Sequence, residues 1–120
     1  MILLDTNALI WLLADHRRAR PLLRGNQRLY VSPVSLLELR FLEEAGRIRL
    51  RLDADLFEDP RFAIDDPSAL DLFGAAFDLA WTRDPFDRLL AAHAQLRRWR
   101  LATADGPLLE RLGPSRTLEL

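Results

Sequence analysis

The sequence predicts an α/β fold in which a central parallel sheet of four to five strands is flanked by helices on both faces. Two observations predict this fold: short apolar runs alternate with amphipathic segments of helical period, and the connections between them are short. The length of 120 residues suits one domain, which we expect to span 1–120. Because 49% of the residues are hydrophobic, the chain can bury an ordinary core.

The first part of the chain predicts two strands, each followed by a helix. Residues 1–4 form a short apolar run that predicts a buried strand. Residues 6–14 then place leucine and isoleucine at helical spacing, and 19–23 predict a short second helix. The next strand is predicted at 28–31.

The stretch after the second strand predicts another helix and then becomes harder to interpret. Ser32 or Ser35 can cap this helix, which we expect to end at Gly46. Its predicted apolar stripe consists of Val34, Leu37, Phe41 and Ala45. Polar and apolar residues alternate over 47–52 as they do in a strand, but an irregular loop would fit the same pattern. Residues 62–64 predict a third strand.

The second half of the chain repeats the alternation of helix and strand. Asp84 at the N-cap and Pro85 at the first helical position predict a helix that reaches about residue 99. The remaining predicted elements are helices at 66–79 and 107–112 and strands at 100–103 and 117–120.

The composition excludes several classes of protein. Lysine is absent, so all 17 residues of the Lys+Arg count are arginines, and mechanisms that need a phosphate-binding or Schiff-base lysine are excluded. The absence of cysteine excludes disulfides and thiolate metal sites. No apolar run approaches the roughly 20 residues that span a bilayer, and no signal peptide is predicted. We therefore expect a cytoplasmic protein with no membrane partner.

Four carboxylates lie where the predicted fold gives them a shared location. Asp5 and Asp105 follow strands, whereas Glu38 and Asp87 lie near the starts of helices. Because the carboxyl ends of parallel strands meet at one edge of a sheet, we expect the four side chains to converge. Converging carboxylates repel unless a cation neutralises them, and oxygen ligands without cysteine or clustered histidine favour Mg²⁺ or Mn²⁺. Such a metal supports phosphodiester hydrolysis.

Each of these carboxylates also has a purely structural explanation. Asp5 and Asp105 could cap the helices that follow them, and Asp87 could interact with a helix dipole. Glu38 could form a capping box with Ser35. The structural explanations weaken when all four residues are considered together, because four independent caps need not share one crevice.

Four segments of the chain resemble the motifs of the PIN-domain family. The third of them takes the form found in a VapC-like bacterial branch. The four occur in the family's order and spacing and span nearly the whole chain, although His93 stands where that branch commonly has glutamine. The segments are 2–9, 31–39, 83–92 and 101–105.

This resemblance implies a Mg²⁺-dependent endoribonuclease that is the toxin of a toxin–antitoxin pair. Its substrate would be structured RNA of the tRNA or rRNA class, hydrolysed by a metal-activated water, and Mn²⁺ could replace Mg²⁺. The resemblance further implies a homodimer and a cognate antitoxin. The implied metal ligands are Asp5, Glu38, Asp87 and Asp105, with Thr6 and Thr103 in support. We interpret Asn7 and Asp84 as further supporting residues. Arg83 and Arg88 flank the expected site, where they are either phosphate contacts that bind the substrate or solvated charges at the end of a helix.

Two other functions fit the same residues. A catalytically silent PIN-like module could bind RNA or protein without cleaving it, and a small Mg²⁺-dependent phosphatase could use the same carboxylates. A receiver-like domain would need the lysine that the chain lacks. His93 is interpreted as a packed, hydrogen-bonded histidine, because it lies on the apolar side of its predicted helix near Leu89, Leu90 and Leu96. Two isolated histidines do not predict a zinc site.

Overall fold

The computed structural model describes residues 1–49, 56 and 58–120, and its described part contains one sheet of five strands. All neighbouring strands pair in parallel, as the alternation of elements predicts. The strands are β1 (Ile2–Leu4), β2 (Leu29–Val31), β3 (Ala63–Ile64), β4 (Arg100–Thr103) and β5 (Thr117–Glu119). Their order across the sheet is β3-β2-β1-β4-β5.

The helices of the described residues lie close to their predicted positions. The short second helix is preceded by a 3-10 turn, Arg17–Ala19, and the fourth is shorter than predicted at both ends. Of the alternating stretch 47–52, residues 47–49 are described and belong to no strand, and 50–52 fall outside the described residues. The helices are α1 (Thr6–Leu13), α2 (Arg20–Leu23), α3 (Pro33–Glu44), α4 (Ala69–Ala76), α5 (Pro85–Arg97) and α6 (Gly106–Leu112).

Side-chain caps explain where most of these helices begin. In α1 and α3 to α6, the side chain of the residue before the helix accepts a backbone N–H of the first turn, an interaction that contributes about 1 kcal/mol of stability. Ser32, and not Ser35, caps α3, so the capping box between Ser35 and Glu38 does not form. The capping residues are Asp5, Ser32, Ser68, Asp84 and Asp105.

The core consists of two apolar layers, one on each face of the sheet. Ile2 and Leu4 of β1 belong to one layer, whereas Leu3 between them belongs to the other. Successive side chains of a strand point to opposite faces, so a strand covered on both faces must be apolar throughout. This double burial is the reason why β1 reads as an uninterrupted apolar run.

The apolar stripe that the sequence suggests for α3 is only partly correct. Leu37 and Phe41 are half-exposed, and the buried residues of the helix are Ser35 and Leu39. The ring of Phe41 meets that of Phe86 at the start of α5 edge to face, with centroids 5.7 Å apart. The helix therefore packs through a narrower face than its composition indicates.

The order of the strands places a crevice at the middle of the sheet. β1 pairs with β2 on one side and with β4 on the other, so the chain leaves β1 and β4 in diverging directions. Open α/β sheets bind ligands outside the carboxyl ends of strands at such a reversal. Within the described ranges, no helix is both long and apolar enough to cross a bilayer.

Candidate metal centre

A crevice of about 320 Å³ opens at the carboxyl ends of β1 and β4. All four carboxylates that the sequence singles out line it, although they come from widely separated parts of the chain. Its other lining side chains include two polar residues, three aliphatic residues and one arginine. The lining residues are Asp5, Thr6, Asn7, Ile10, Glu38, Leu42, Arg47, Ile48, Asp87 and Asp105.

Asp5 caps α1 and faces the crevice at the same time. Its Oδ1 accepts the backbone N–H of Ala8 at 2.7 Å. Burial raises the pKa of Asp5 to about 6; the Thr103 hydroxyl and the Ala8 amide lower it, and the charges of Asp105 and Glu38 raise it further. Capping is therefore compatible with a role in the crevice, because the cap uses only one carboxylate oxygen.

Asp87 is the third residue of α5 and is half-buried. Burial is the largest cause that raises the pKa of Asp87 to about 7, and nearby carboxylates, of which Asp84 has the largest effect, add to it. The Oδ1 of Asp84 accepts the backbone N–H groups of Phe86 and Asp87, at 2.9 and 3.0 Å. Asp84 does not line the crevice, but it fixes the helix start that presents Asp87.

Glu38 lies in the second turn of α3, and its pKa is also raised. Burial is the main cause; the Thr6 hydroxyl lowers the pKa and the charge of Asp84 raises it. Thr6 in turn donates its hydroxyl to the Oγ of Ser35 at 3.1 Å, a buried contact between α1 and α3. This contact holds the elements that carry Asp5 and Glu38 side by side.

Asp105 follows β4 and caps α6. Its Oδ1 accepts the backbone N–H of Leu108 at 3.0 Å, and its own backbone N–H donates to Thr103 Oγ1 at 3.0 Å. Thr103 is fully buried. The charge of Asp105 contributes to the raised pKa values of both Asp5 and Asp87, so the four carboxylates act on one another electrostatically.

The donor set suits a hard divalent cation. Its ligands would be carboxylate oxygens, which Mg²⁺ and Mn²⁺ prefer. Burial, together with the charges of neighbouring carboxylates, raises the pKa values of Asp5 and Asp87, and a bound cation would oppose this effect by favouring the ionised forms. In the part of the chain that the structure describes, no three carboxylate or histidine side chains are arranged as a closed cation site, so a bound cation would have to draw the carboxylates together.

Comparison with known families and solved structures identifies the family and the fold of the chain. The model of the PIN domain family matches residues 2–112 of this chain. The chain belongs to the PIN-domain family. No curated protein sequence matches it.

Solved structures share the fold of this PIN domain at low sequence identity. A toxin–antitoxin complex from Klebsiella pneumoniae has a TM-score of 0.72 and 21% identity, with 100% of both chains covered. DNA-bound VapBC from Salmonella typhimurium has a TM-score of 0.69 and 22% identity, covering 98% of this chain and 96% of that one. VapBC2 from Rickettsia felis, bound to a promoter DNA fragment, has a TM-score of 0.67 and 24% identity, covering 99% and 98%. At these identities the likeness establishes the fold.

The remaining predicted residues of the PIN domain fall into two groups. Thr6 and Asn7 line the crevice, whereas Thr103 lies behind it and positions Asp105. Arg83 is exposed and does not line the crevice. Arg88 donates Nε to the carbonyl oxygen of Ala76 and Nη2 to that of Phe77, both at 2.8 Å, which holds the end of α4 against α5.

Arg47 is a crevice residue that sequence reasoning missed. Gly46, with φ of 69°, ends α3, and the N–H of Arg47 turns back to the carbonyl oxygen of Leu42 at 2.9 Å. With the Gly46 N–H on the Glu43 carbonyl, this pattern is a Schellman motif. The Gly46 stop was visible in the sequence, but the return of Arg47 to the crevice depends on the tertiary packing of α3.

Proposed function

We propose that this PIN domain is a Mg²⁺-dependent endoribonuclease and the toxin of a toxin–antitoxin pair. The observation that carries the proposal is that carboxylates from four elements line one crevice, where burial and neighbouring charges raise the pKa values of Asp5, Glu38 and Asp87. The similar structures from Klebsiella pneumoniae and Salmonella typhimurium are described as toxin–antitoxin and VapBC complexes, which supports the toxin role.

The cation would be held by Asp5, Glu38, Asp87 and Asp105, with Mn²⁺ able to replace Mg²⁺. When bound, the cation supplies a water of lowered pKa and compensates charge on the phosphodiester oxygens. Thr103 keeps the Asp105 backbone in place, and the contact of Thr6 with Ser35 keeps α1 against α3.

The side chains around the carboxylates would contribute to RNA binding in two ways. Ile10, Leu42 and Ile48 line the crevice and reduce its polarity, which strengthens electrostatic interactions inside it. Arg47 is placed to contact a phosphate beside the carboxylates.

The arginines that the sequence suggests as substrate contacts would lie further from the carboxylates. We propose that Arg83 contacts a phosphate at the rim of the crevice, because it is exposed and directly precedes Asp84, the N-cap of α5, in the sequence. Nε and Nη2 of Arg88 already donate to backbone carbonyls at the end of α4, so a phosphate contact would be made by its Nη1.

The decisive experiment is cleavage of structured RNA by the purified protein. We expect cleavage of tRNA or rRNA fragments with Mg²⁺ or Mn²⁺, and loss of cleavage with EDTA. Asp5→Asn and Asp87→Asn should abolish it, whereas Asp78→Asn, which changes an exposed carboxylate outside the crevice, should cleave like the wild type. Equal cleavage by all three variants would exclude the proposed mechanism.

A catalytically silent binding module is the second candidate. The absence of a closed cation site among residues 1–49, 56 and 58–120 is the observation that favours it. Titration calorimetry with Mn²⁺ separates the two functions, because a silent module would show no heat of binding at millimolar metal. Turnover of a phosphomonoester without cleavage of RNA would indicate the phosphatase instead.

A homodimer and an antitoxin complete the proposal. α4 and its C-cap residue expose Leu70 (84%), Phe73 (52%) and Phe77 (75%) at helical spacing, and exposed apolar side chains of this kind mediate association. The antitoxin would insert a segment into the crevice, and the complex would act in the cytoplasm. Co-purification with the product of a short neighbouring reading frame, together with inhibition of RNA cleavage by that product, tests the antitoxin.

A further inference from the structure

A chain of hydrogen bonds runs from the buried His93 to the protein surface. His93 of α5 is 0% exposed, and its ring nitrogens contact Ser32 Oγ at 2.9 Å and Asp65 Oδ2 at 2.7 Å. Arg97, one turn further along α5, donates to both Asp65 oxygens at 2.8 and 3.2 Å. We call the set Ser32, His93, Asp65 and Arg97 the histidine bridge.

The proton positions of the histidine bridge follow from its chemistry. Burial opposes ionisation of Asp65, but hydrogen bonds from Arg97 and His93 outweigh it and hold the pKa of Asp65 below its usual value. Burial lowers the pKa of His93 despite the opposing effect of Asp65, so the imidazole is neutral at pH 7. Nε2–H therefore donates to the carboxylate, and Nδ1 accepts the hydroxyl proton of Ser32.

The order serine, histidine, aspartate matches that of a serine hydrolase triad, but the bridge cannot act as one. Ser32 Oγ already accepts the Val34 N–H at 3.2 Å as the cap of α3, and the residue is 0% exposed. A substrate carbonyl could not reach a nucleophile in this position. The bridge must therefore act through the elements that it connects.

These elements are the ones that carry two of the crevice carboxylates. Ser32 caps α3, which carries Glu38, and His93 lies on α5, which carries Asp87. The third element is the end of β3, where Asp65 is tied to the sheet by its backbone N–H on the Val31 carbonyl at 3.0 Å. The histidine bridge thus fixes the start of α3, the sheet and α5 at one point.

We propose that His93 is a positioning residue that fixes α5 against the start of α3. The bridge thereby sets the separation between Glu38 and Asp87 across the crevice. A buried donor or acceptor that loses its partner is destabilising, so loss of the imidazole leaves the helices to find another arrangement. The consequence for catalysis rests on the proposed function, whereas the consequence for helix positions does not.

Spin-label distances test the positioning directly. The chain has no cysteine, so Arg40→Cys on α3 and Gln95→Cys on α5, both at exposed positions, provide a unique pair of labels. His93→Leu keeps an apolar side chain but cannot form the bridge, and it should shift or broaden the distance by about 1–2 Å. His93→Gln can donate to Asp65 and accept from Ser32, and it should keep the wild-type distance.

Asp65→Ala provides a second test in case His93→Leu does not fold, because Asp65 lies near the surface. It removes the partner of both His93 and Arg97 and should also shift or broaden the distance. Leu22→Ala, in the buried part of α2, controls for general loss of stability and should leave the distance unchanged.

RNA cleavage should fall about tenfold or more in His93→Leu but not in His93→Gln.

Two results would overturn the positioning role. One is a wild-type distance in His93→Leu or, where that variant does not fold, in Asp65→Ala. The other is a distance in His93→Gln that moves as far as that in His93→Leu, since the shape of the side chain would then matter and its hydrogen bonds would not. A wild-type protein that binds no Mn²⁺ and cleaves no RNA would defeat the proposed function, while the distances would still decide the role of His93.

Discussion

The backbone N–H of Asp5 donates a hydrogen bond to the carbonyl oxygen of Ala102 at 3.0 Å. This bond joins the residue after β1 to the penultimate residue of β4, three residues before Asp105. The two central strands therefore end at one level, and the carboxylates that follow them enter the same crevice.

The first prediction concerns the stability of the metal-free protein. The pKa of Asp87 is raised from 3.8 to about 7 in the folded state, so folding favours its protonated form. Its contribution to the free energy of unfolding is present below pH 3.8 and is lost as the pH rises through 7. Asp87→Asn removes this loss and should raise the melting temperature more at pH 8 than at pH 5. Thermal denaturation in EDTA measures this, and an equal gain with Asp78→Asn would contradict it.

The second prediction concerns the pH dependence of metal binding. A carboxylate must lose its proton to bind Mn²⁺, and the pKa values of Asp5 and Asp87 are about 6 and about 7. The affinity for Mn²⁺ should therefore rise between pH 5.5 and pH 8, over the range in which both groups ionise. Calorimetry in buffers of different ionisation enthalpy measures both the affinity and the protons released. An affinity independent of pH would show that these carboxylates are not the ligands.

The third prediction concerns Arg47, the arginine that lines the crevice. If it contacts a phosphate, Arg47→Ala should weaken RNA binding and reduce the slope of log affinity against log salt by about 1. Arg24→Ala, at an exposed position outside the crevice, is the matched control and should leave both unchanged. Binding titrations at several salt concentrations with the inactive Asp5→Asn protein provide the measurement. An unchanged slope would remove Arg47 from the substrate contacts.

The fourth prediction concerns the contact of Arg88 with the end of α4. Its guanidinium donates to two backbone carbonyls there, and Arg88→Met should reduce the free energy of unfolding by about 1–2 kcal/mol. Arg83→Met changes an exposed neighbour and should have little effect. Urea denaturation monitored by circular dichroism compares the two variants. Equal stability would mean that these hydrogen bonds contribute nothing net.

The fifth prediction concerns the apolar surface of α4. If the protein is a homodimer through this surface, Phe77→Glu should convert it to a monomer, because it would bury a charge in the interface. Sedimentation velocity measures the mass, and Glu110→Gln on the exposed face of α6 is the control. A wild-type protein that is already monomeric would contradict the proposed homodimer.

Much of the fold could be predicted from the sequence because its signals are local. Asp84 with Pro85 predicted the start of α5, and Gly46 predicted the end of α3, since caps join residues only a few positions apart. The double burial of β1 was readable as a continuous apolar run. The shared location of Asp5 and Asp105 followed from parallel strands alone.

One alternative could not be decided from the sequence and one prediction was partly wrong, both for physical reasons. Ser32 and Ser35 were both possible caps of α3, and the choice depended on where the strand before it ended. Leu37 and Phe41 had the spacing of a buried stripe, but Leu39 and Ser35 face the core. A period of 3.6 residues identifies a helix face without saying which neighbour covers it.

By itself, the amino-acid sequence determined the succession of strands and helices along the chain in the described residues. It also determined that four carboxylates lie after strands or near the starts of helices. Only the tertiary structure decided that Arg47 turns into the crevice, that Arg88 binds α4, and that His93 joins Ser32 to Asp65. The physical reason is the distance along the chain between the partners. A cap is formed within one turn, whereas Ser32, Asp65 and His93 meet only when the sheet has brought their three elements together.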